Sequence, residues 1–499
     1  MLGRLRELDW TVKLIIIITG FRGVLAAVPV PLTWDEAVYV NLAREFYYFG
    51  IDIHYYLFQQ ILDFSRPALL TFMLYFSFLI TTPNIIVAQY VTFFLSLPAL
   101  YAVYLLGKEL YSEKVGKFSA LALTSGCLGF AFFLGILTEI PFTLFSTLFL
   151  LCVVRAQKNP KYYIPAGVAL SLTFLSRPPG ILLVLVGFAY IVLSKSIKKT
   201  IKSPWLYLGL LGAFLTLLPW LLWSKMVTGS YLGLYSIYSY IQNYWSRVLI
   251  QIIPPTTIDT ILWYLETAVY AVVPLFVSAF LFPYFFVALK AELKSKSVQG
   301  LPLILWVAMY LVAYPLINPD ARIMDYLRYN QTSIPALSIL TGLGLAMMLT
   351  NEIQLRNGKS IVSRKGILKG GRNLAIILVI LNLSVCLVGV YAVRSYPELS
   401  QPIPAYQYLK YTTLPWQIIV TNTYPMATQY TDRMCVWVPD LLGEVDALAK
   451  TGYVRGIFMS LFDYASPIIL AHLETSPLYE RELVLFYQGV PYMILYRVK

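Results

Sequence analysis

Asp35 and Glu36 are adjacent carboxylates placed directly after a very hydrophobic segment, in Leu32-Thr33-Trp34-Asp35-Glu36-Ala37-Val38-Tyr39. A carboxylate at a membrane edge is a candidate general base, able to deprotonate or orient an acceptor hydroxyl. Further ionisable residues recur beside apolar segments. Arg66 stands in Ser65-Arg66-Pro67, Glu139 in Thr138-Glu139-Ile140-Pro141 and Arg177 in Ser176-Arg177-Pro178-Pro179, while Arg322 and Arg328 lie in a short loop. Charges at a membrane boundary are costly and point to function by default. Arginine forks bind phosphate through paired, charge-assisted hydrogen bonds. Taken singly, each arginine also fits a snorkelling anchor at a helix end. As a set on one face, with two or three carboxylates, they suit a substrate whose phosphate sits at the level of a lipid headgroup.

These residues need elements to hold them. Thr33 with Glu36 three residues later has the form of a capping box, so a helix is expected to start there. Val38, Leu42, Phe46 and Phe49 then form one apolar stripe. The pattern predicts a short amphipathic helix lying on a membrane surface, with Asp35 in the first turn, where the helix dipole favours a negative charge.

Of the 499 residues, 59% are hydrophobic and 13% charged, about half the charged fraction of a soluble protein. The class is an all-α polytopic membrane protein. Spans of about 20 apolar residues are expected near 14–30, 85–107, 116–134, 138–154, 162–176, 179–194, 204–224, 262–289, 301–317, 331–350 and 374–393, about eleven in all. The apolar run 67–80 is ambiguous, and the positive-inside rule decides it. If 67–80 does not cross, the basic clusters Lys108/Lys114/Lys117, Arg155/Lys158/Lys161, Lys195/Lys198/Lys199/Lys202, Lys290/Lys294/Lys296 and Arg356 to Arg372 all share the N-terminal, cytoplasmic side. We therefore read 67–80 as a re-entrant or interfacial helix inside a long outer loop, 31–84. The net charge of +13 is topological and calls for no nucleic-acid partner. The opposite face also carries the tyrosine-rich loop 225–261, read as an interfacial belt or a lid, and the loop 318–330. The four cysteines and two histidines show no disulfide or metal spacing, so no metal or cofactor is expected.

Residues 395–499 change character. Helical patterns at 405–411 and 441–450 alternate with strand patterns at 417–421 and 454–460, and 482–487 with 492–498 form a closing hairpin. This predicts a small α/β domain on the outer face, beside a membrane module over 1–394.

Trp34-Asp35-Glu36-Ala37-x-Tyr39 resembles the Asp-Glu motif in the first outer loop of the GT-C superfamily of membrane glycosyltransferases. Ser65-Arg66-Pro67-Ala68-Leu69-Leu70 resembles that family's Lys/Arg-Pro-Pro-Leu element, and Thr138-Glu139-Ile140-Pro141 its second acidic motif. Arg328-Tyr329, followed by Ile334-Pro335-Ala336-Leu337 and Gly342-x-Gly344, resembles its Arg-Tyr…Pro segment. The order of these motifs is most similar to the branch of protein O-mannosyltransferases and of aminoarabinose transferases acting on lipid A. Val38 stands where some of the latter carry arginine, and Ala68 replaces a second proline, so the donor sugar stays open. Trp437-Val438-Pro439-Asp440 is not the Trp-Trp-Asp of oligosaccharyltransferases.

The resemblance implies a polyprenyl-phosphate-linked sugar donor (dolichyl or undecaprenyl), transferred with inversion to a hydroxyl of a lipid, glycan or protein outside the membrane. It implies Asp35 as the catalytic carboxylate, with Glu36 beside it. It implies Arg66, with Arg322 or Arg328, as donor-phosphate contacts. Arg177, Tyr39, Glu139 and Tyr329 complete the expected substrate-binding set. A lipid flippase or transporter would share the basic loops and boundary charges, but should show inverted repeats and charges near the midplane; neither is evident.

Overall fold

The computed structural model describes residues 9–28, 32, 34–50, 68–126, 135–194, 196–228, 231, 281–295, 298–317, 330–349, 371–394, 403–439, 441–461, 466–487 and 489–499. The described chain is mostly helical, with one small sheet near the C-terminus. Helices α1 (Trp10–Leu25), α2 (Trp34–Phe49), α3 (Ala68–Ile80), α4 (Ile85–Leu110), α5 (Glu113–Ser125), α6 (Glu139–Ala156) and α7 (Tyr163–Ser176) come first. They are followed by α8 (Leu183–Leu193), α9 (Pro204–Thr228), α10 (Phe282–Ser295), α11 (Gly300–Ile317), α12 (Ile334–Leu349) and α13 (Gly371–Arg394).

Among the described residues, three helices are long and apolar enough to cross a membrane by length and composition: Ile85–Leu110, Glu139–Ala156 and Pro204–Met226. The expected eleven spans are not all recovered in this form. The expected spans at 116–134 and 262–289 run into stretches outside the described residues, and others form helices shorter than a full crossing. α3 is one of these. Its 13 residues extend about 20 Å, against a hydrocarbon core of about 30 Å.

α5 packs against α4 and α12, and α6 against α4 and α7. Close approach is built into the sequence at Gly342: a Cβ there would lie 2.4 Å from Ser119 N on α5. The Gly342-x-Gly344 element is thus a helix-packing device. Buried Arg22 joins α1 to its neighbours, donating to Ser96 Oγ at 2.7 Å and Thr124 Oγ1 at 3.2 Å. Sidedness is visible in the bundle. Glu109 meets Lys158 at 2.5 Å and Arg155 at 3.9 Å, so the basic turns near 108–117 and 155–161 share one end.

The C-terminal segment builds α14 (Ile403–Thr412), β1 (Ile418–Thr421), α15 (Tyr424–Thr431), β2 (Met434–Trp437), α16 (Leu442–Ala449), β3 (Val454–Ser460), α17 (Pro467–Thr475), β4 (Tyr479–Tyr487) and β5 (Val490–Val498). The sheet order is β2-β1-β3-β5-β4. β1 pairs parallel with β2 and β3, while β5 is antiparallel to β3 and β4. α15, β2 and α17 were not anticipated from the sequence.

The apolar core runs across the expected boundary between outer loop and C-terminal domain. Val38, Tyr39, Leu42, Leu70, Leu74 and Phe78 of α2 and α3 share one continuous cluster with Ile418, Val420, Val436, Ile457 and Leu495 of the sheet. The membrane helices form a different cluster. α2 is therefore not a helix lying on a surface with one face free, as its stripe predicts. Residues 35–46 are buried on every face. The stripe turns to α3, where Phe46 stacks on Phe72 at 5.6 Å and meets Tyr75 edge-on at 6.0 Å. Its polar face, read from sequence as the wet side, meets the C-terminal domain instead.

Candidate active site

Asp35 and Glu36 occupy the first turn of α2, and both are buried, Asp35 at 6% exposure and Glu36 at 0%. The capping-box reading does not describe the Glu36 carboxylate, which accepts a hydrogen bond from the backbone N–H of Ile136 at 2.9 Å, 100 residues away in sequence. Gly135 makes the approach possible. A Cβ at that position would lie 2.6 Å from Glu36 Oε1. Three residues after Ile136, Glu139 opens α6, and Arg177 ends α7 with NH1 2.8 Å from Glu139 Oε1. Both are buried.

The fold thus gathers four of the expected site residues at one end of the bundle: Glu36, Glu139 and Arg177 through direct bonds, and Asp35 through its place in the same turn of α2. It pairs Arg177 with Glu139 rather than leaving two separate charges. A buried pair of this type sets the position and charge of Glu139, since an isolated buried carboxylate would be costly. Tyr39, one turn further along α2, is 1% exposed and sits in the core shared with the C-terminal domain. Arg66, Arg322, Arg328 and Tyr329 lie outside the described residues, as do nearly all of the tyrosine-rich loop 225–261 and His54. Among the described residues, no group of three or more His, Cys, Asp or Glu is placed to hold a metal ion.

Three residues of α2 carry roles that the sequence reading passed over. Asn41 and Arg44 bond to the C-terminal domain. Glu45 is 1% exposed, and neither of its carboxyl oxygens has a hydrogen-bond partner among the described residues. For Asn41 and Arg44 the one sequence signal is polarity away from the stripe, which commonly means solvent, whereas Glu45, seven residues after Val38 and three after Leu42, falls beside the stripe itself.

Burial pushes the Glu45 carboxyl up from 4.5 to about 8, because the charged form would be stranded without water or a partner. The folded state therefore holds a proton that the unfolded chain releases above pH 4.5. Stability from this group is whole below pH 4.5 and is lost as pH rises toward about 8. The loss reaches on the order of 3 kcal/mol at pH 7, at 1.36 kcal/mol per unit. Glu45→Gln is expected to remove it. In thermal unfolding at pH 5, 7 and 8.5, the Gln variant should gain over wild type as pH rises. A constant difference across the series would show that Glu45 is solvated or paired.

Residues 65–223 match the family described as dolichyl-phosphate-mannose-protein mannosyltransferase. That segment includes Arg66, Glu139 and Arg177 and begins after Asp35. Among curated proteins, none matches the chain at a significant level. Among solved structures, the fold is similar to ArnT from Cupriavidus metallidurans bound to undecaprenyl phosphate, at TM-score 0.64 and 12% identity, covering 96% of this chain and 97% of that one. The apo state of the same protein matches at TM-score 0.64 and 13% identity, covering 97% of each chain. The archaeal oligosaccharyltransferase AglB from Archaeoglobus fulgidus, in complex with an inhibitory peptide and a dolichol-phosphate, matches at TM-score 0.50 and 12% identity, over 90% of this chain and 69% of that one. Over residues 65–223 the chain is thus similar to a mannosyltransferase family, and its fold is similar to that of ArnT.

Proposed function

We propose that this protein is a glycosyltransferase that moves a sugar from a polyprenyl-phosphate donor to an acceptor hydroxyl at the outer face of the membrane. One observation carries the reading. Two acidic stretches a hundred residues apart, which the motif order alone leaves separate, are joined in a buried site by the Ile136 N–H to Glu36 bond and the Arg177–Glu139 pair. The matched family and the polyprenyl phosphates bound to similar folds support the donor class.

In this reading Asp35 takes the proton from the acceptor hydroxyl as that oxygen attacks the anomeric carbon. The bond to the phosphate oxygen breaks on the opposite side, so the product is inverted. Arg66, with Arg322 or Arg328, receives the charge that develops on the departing polyprenyl phosphate. Glu36 and Glu139, held by Ile136 and Arg177, shape the wall against which the sugar is oriented.

The test supplies radiolabelled polyprenyl-phosphate hexoses to membranes carrying the protein. Label should pass to an acceptor while free polyprenyl phosphate accumulates, and the new linkage should have the anomeric configuration opposite to the donor's. Absence of both donor binding and turnover across several sugars would refute the assignment. Gly135→Ala provides a local check. Its methyl group would push against Glu36 Oε1, so transfer is expected to fall at least about tenfold with the protein still folded, because small misplacements at a reacting centre are expensive.

A further inference from the structure

The helix that carries Asp35 and Glu36 is fastened to the C-terminal domain along its whole length. Just before α2, the Leu32 N–H donates to Gln429 Oε1 of α15 at 3.0 Å. In the middle, Asn41 Nδ2 donates to Thr428 Oγ1 at 2.7 Å, and the Cys435 N–H of β2 donates to Asn41 Oδ1 at 3.4 Å. At the far end Phe49 meets the Tyr453 ring edge-on, with centroids 4.9 Å apart.

Arg44 is the strongest of these ties. It is 1% exposed. Its Nε donates to Pro83 O at 2.9 Å, in the turn that leads into α4. Its NH1 donates to Arg433 O at 2.9 Å, and its NH2 to the carboxylate of Asp432. One guanidinium therefore ties α2 to two other chain segments. Asp432 is the one non-glycine residue with positive φ among those described, at 52°. That left-handed turn ends α15, where Asp432 and the Arg433 carbonyl both bond Arg44.

On the other side α2 packs along α3, and Arg44 also bonds the Pro83 carbonyl. Glu36 bonds Ile136, and Phe46 packs on α3 and Trp223. α2 is thus held from both sides, and the C-terminal side contributes the bonds to Asn41 and Arg44 and a share of the same apolar core.

We propose that Arg44 and Asn41 are positioning residues for transfer, and that the C-terminal domain acts as the mount that aims Asp35 at the acceptor. The inference rests on the reading of Asp35 as the base. It makes the domain part of the catalytic centre rather than a separate appendage.

The test is a single-turnover experiment in native membranes, which carry the acceptor, preloaded with a radiolabelled polyprenyl-phosphate hexose. The variants are Arg44→Ala, Asn41→Ala and Asp432→Gly. Glycine tolerates the left-handed φ, so the last change deletes the carboxylate while the Arg44 bonds to the Pro83 and Arg433 carbonyls can persist. The rate constant of donor discharge is independent of the fraction of protein that is active, whereas the amplitude reports that fraction. The rate constant is expected to fall about tenfold or more in Arg44→Ala and by a smaller factor in the other two, with amplitude kept, as for a misaimed group. Amplitude loss with an unchanged rate constant in Asp432→Gly would mean that the contact only stabilises the fold, and would overturn the proposal. So would unchanged values in all three. Asp35→Asn is run beside them. If it discharges donor at the wild-type rate, the base assignment fails, whatever Arg44→Ala does.

Discussion

Asp35→Asn is expected to lower sugar transfer by about 10²–10⁴-fold while donor binding stays within a factor of two or so of wild type, the usual range for loss of a positioned base. The substitution is nearly isosteric and leaves α2 intact. Asparagine suits the first turn of a helix and keeps hydrogen-bonding capacity. What it loses is the ability to accept a proton from the acceptor hydroxyl. The donor phosphate is assigned to arginines on other segments, so retention of the donor should not depend on residue 35. Transfer measured in membranes with labelled donor, together with donor binding, separates the two steps. An Asp35→Asn protein that is folded and transfers at full rate would end the assignment.

Arg177→Met is expected to be the most destabilising single change at the site. Arg177 and Glu139 are 7% and 4% exposed as side chains and 2.8 Å apart. Removing the guanidinium leaves a carboxylate in a region that water does not reach. Breaking one side of such a pair costs on the order of 3–5 kcal/mol. Replacing both partners avoids the stranded charge, so Glu139→Gln with Arg177→Met should recover most of the loss in thermal unfolding of the detergent-solubilised protein. Transfer should remain low in the double variant if Glu139 orients the sugar. A single variant that unfolds at the wild-type temperature would show that water or another cation reaches Glu139.

These two expectations depend differently on the sequence. Asp35 and Glu36 stood out from their position after the first apolar segment and from their helix-starting neighbours. Glu139 and Arg177 stood out because charges beside apolar segments are costly. What sequence spacing could not show is that Glu139 and Arg177 neutralise each other, or that Glu36 bonds to the chain just before Glu139. Contacts across a hundred residues leave no periodic trace.

The C-terminal elements were legible in part for the same reason. The strands at 418–421 and 454–460 and the hairpin of β4 and β5 have strong apolar or alternating patterns and a clear turn. β2 is four residues long, and α15 is eight residues with tyrosine and threonine, too short and mixed to declare a period. Their identity comes from what they pack against, and α15 packs against α2.

The sequence by itself pointed to the membrane class, through its apolar fraction, and to a common side for its basic turns, through the cost of moving lysine and arginine across lipid. It also determined which residue types were available for phosphate binding and proton removal. Tertiary structure alone decided the surroundings of α2. Its stripe at three- and four-residue spacing specifies a helix with one apolar face, but a polar face has two possible partners, water or another polar surface. The C-terminal domain supplies the second, offering the Arg433 carbonyl, the Asp432 carboxylate and Thr428 where Arg44 and Asn41 arrive. Hydrogen bonds satisfied by protein bury that face as effectively as apolar contact buries the other. For that reason a helix that reads as lying at a surface is enclosed between two parts of the molecule.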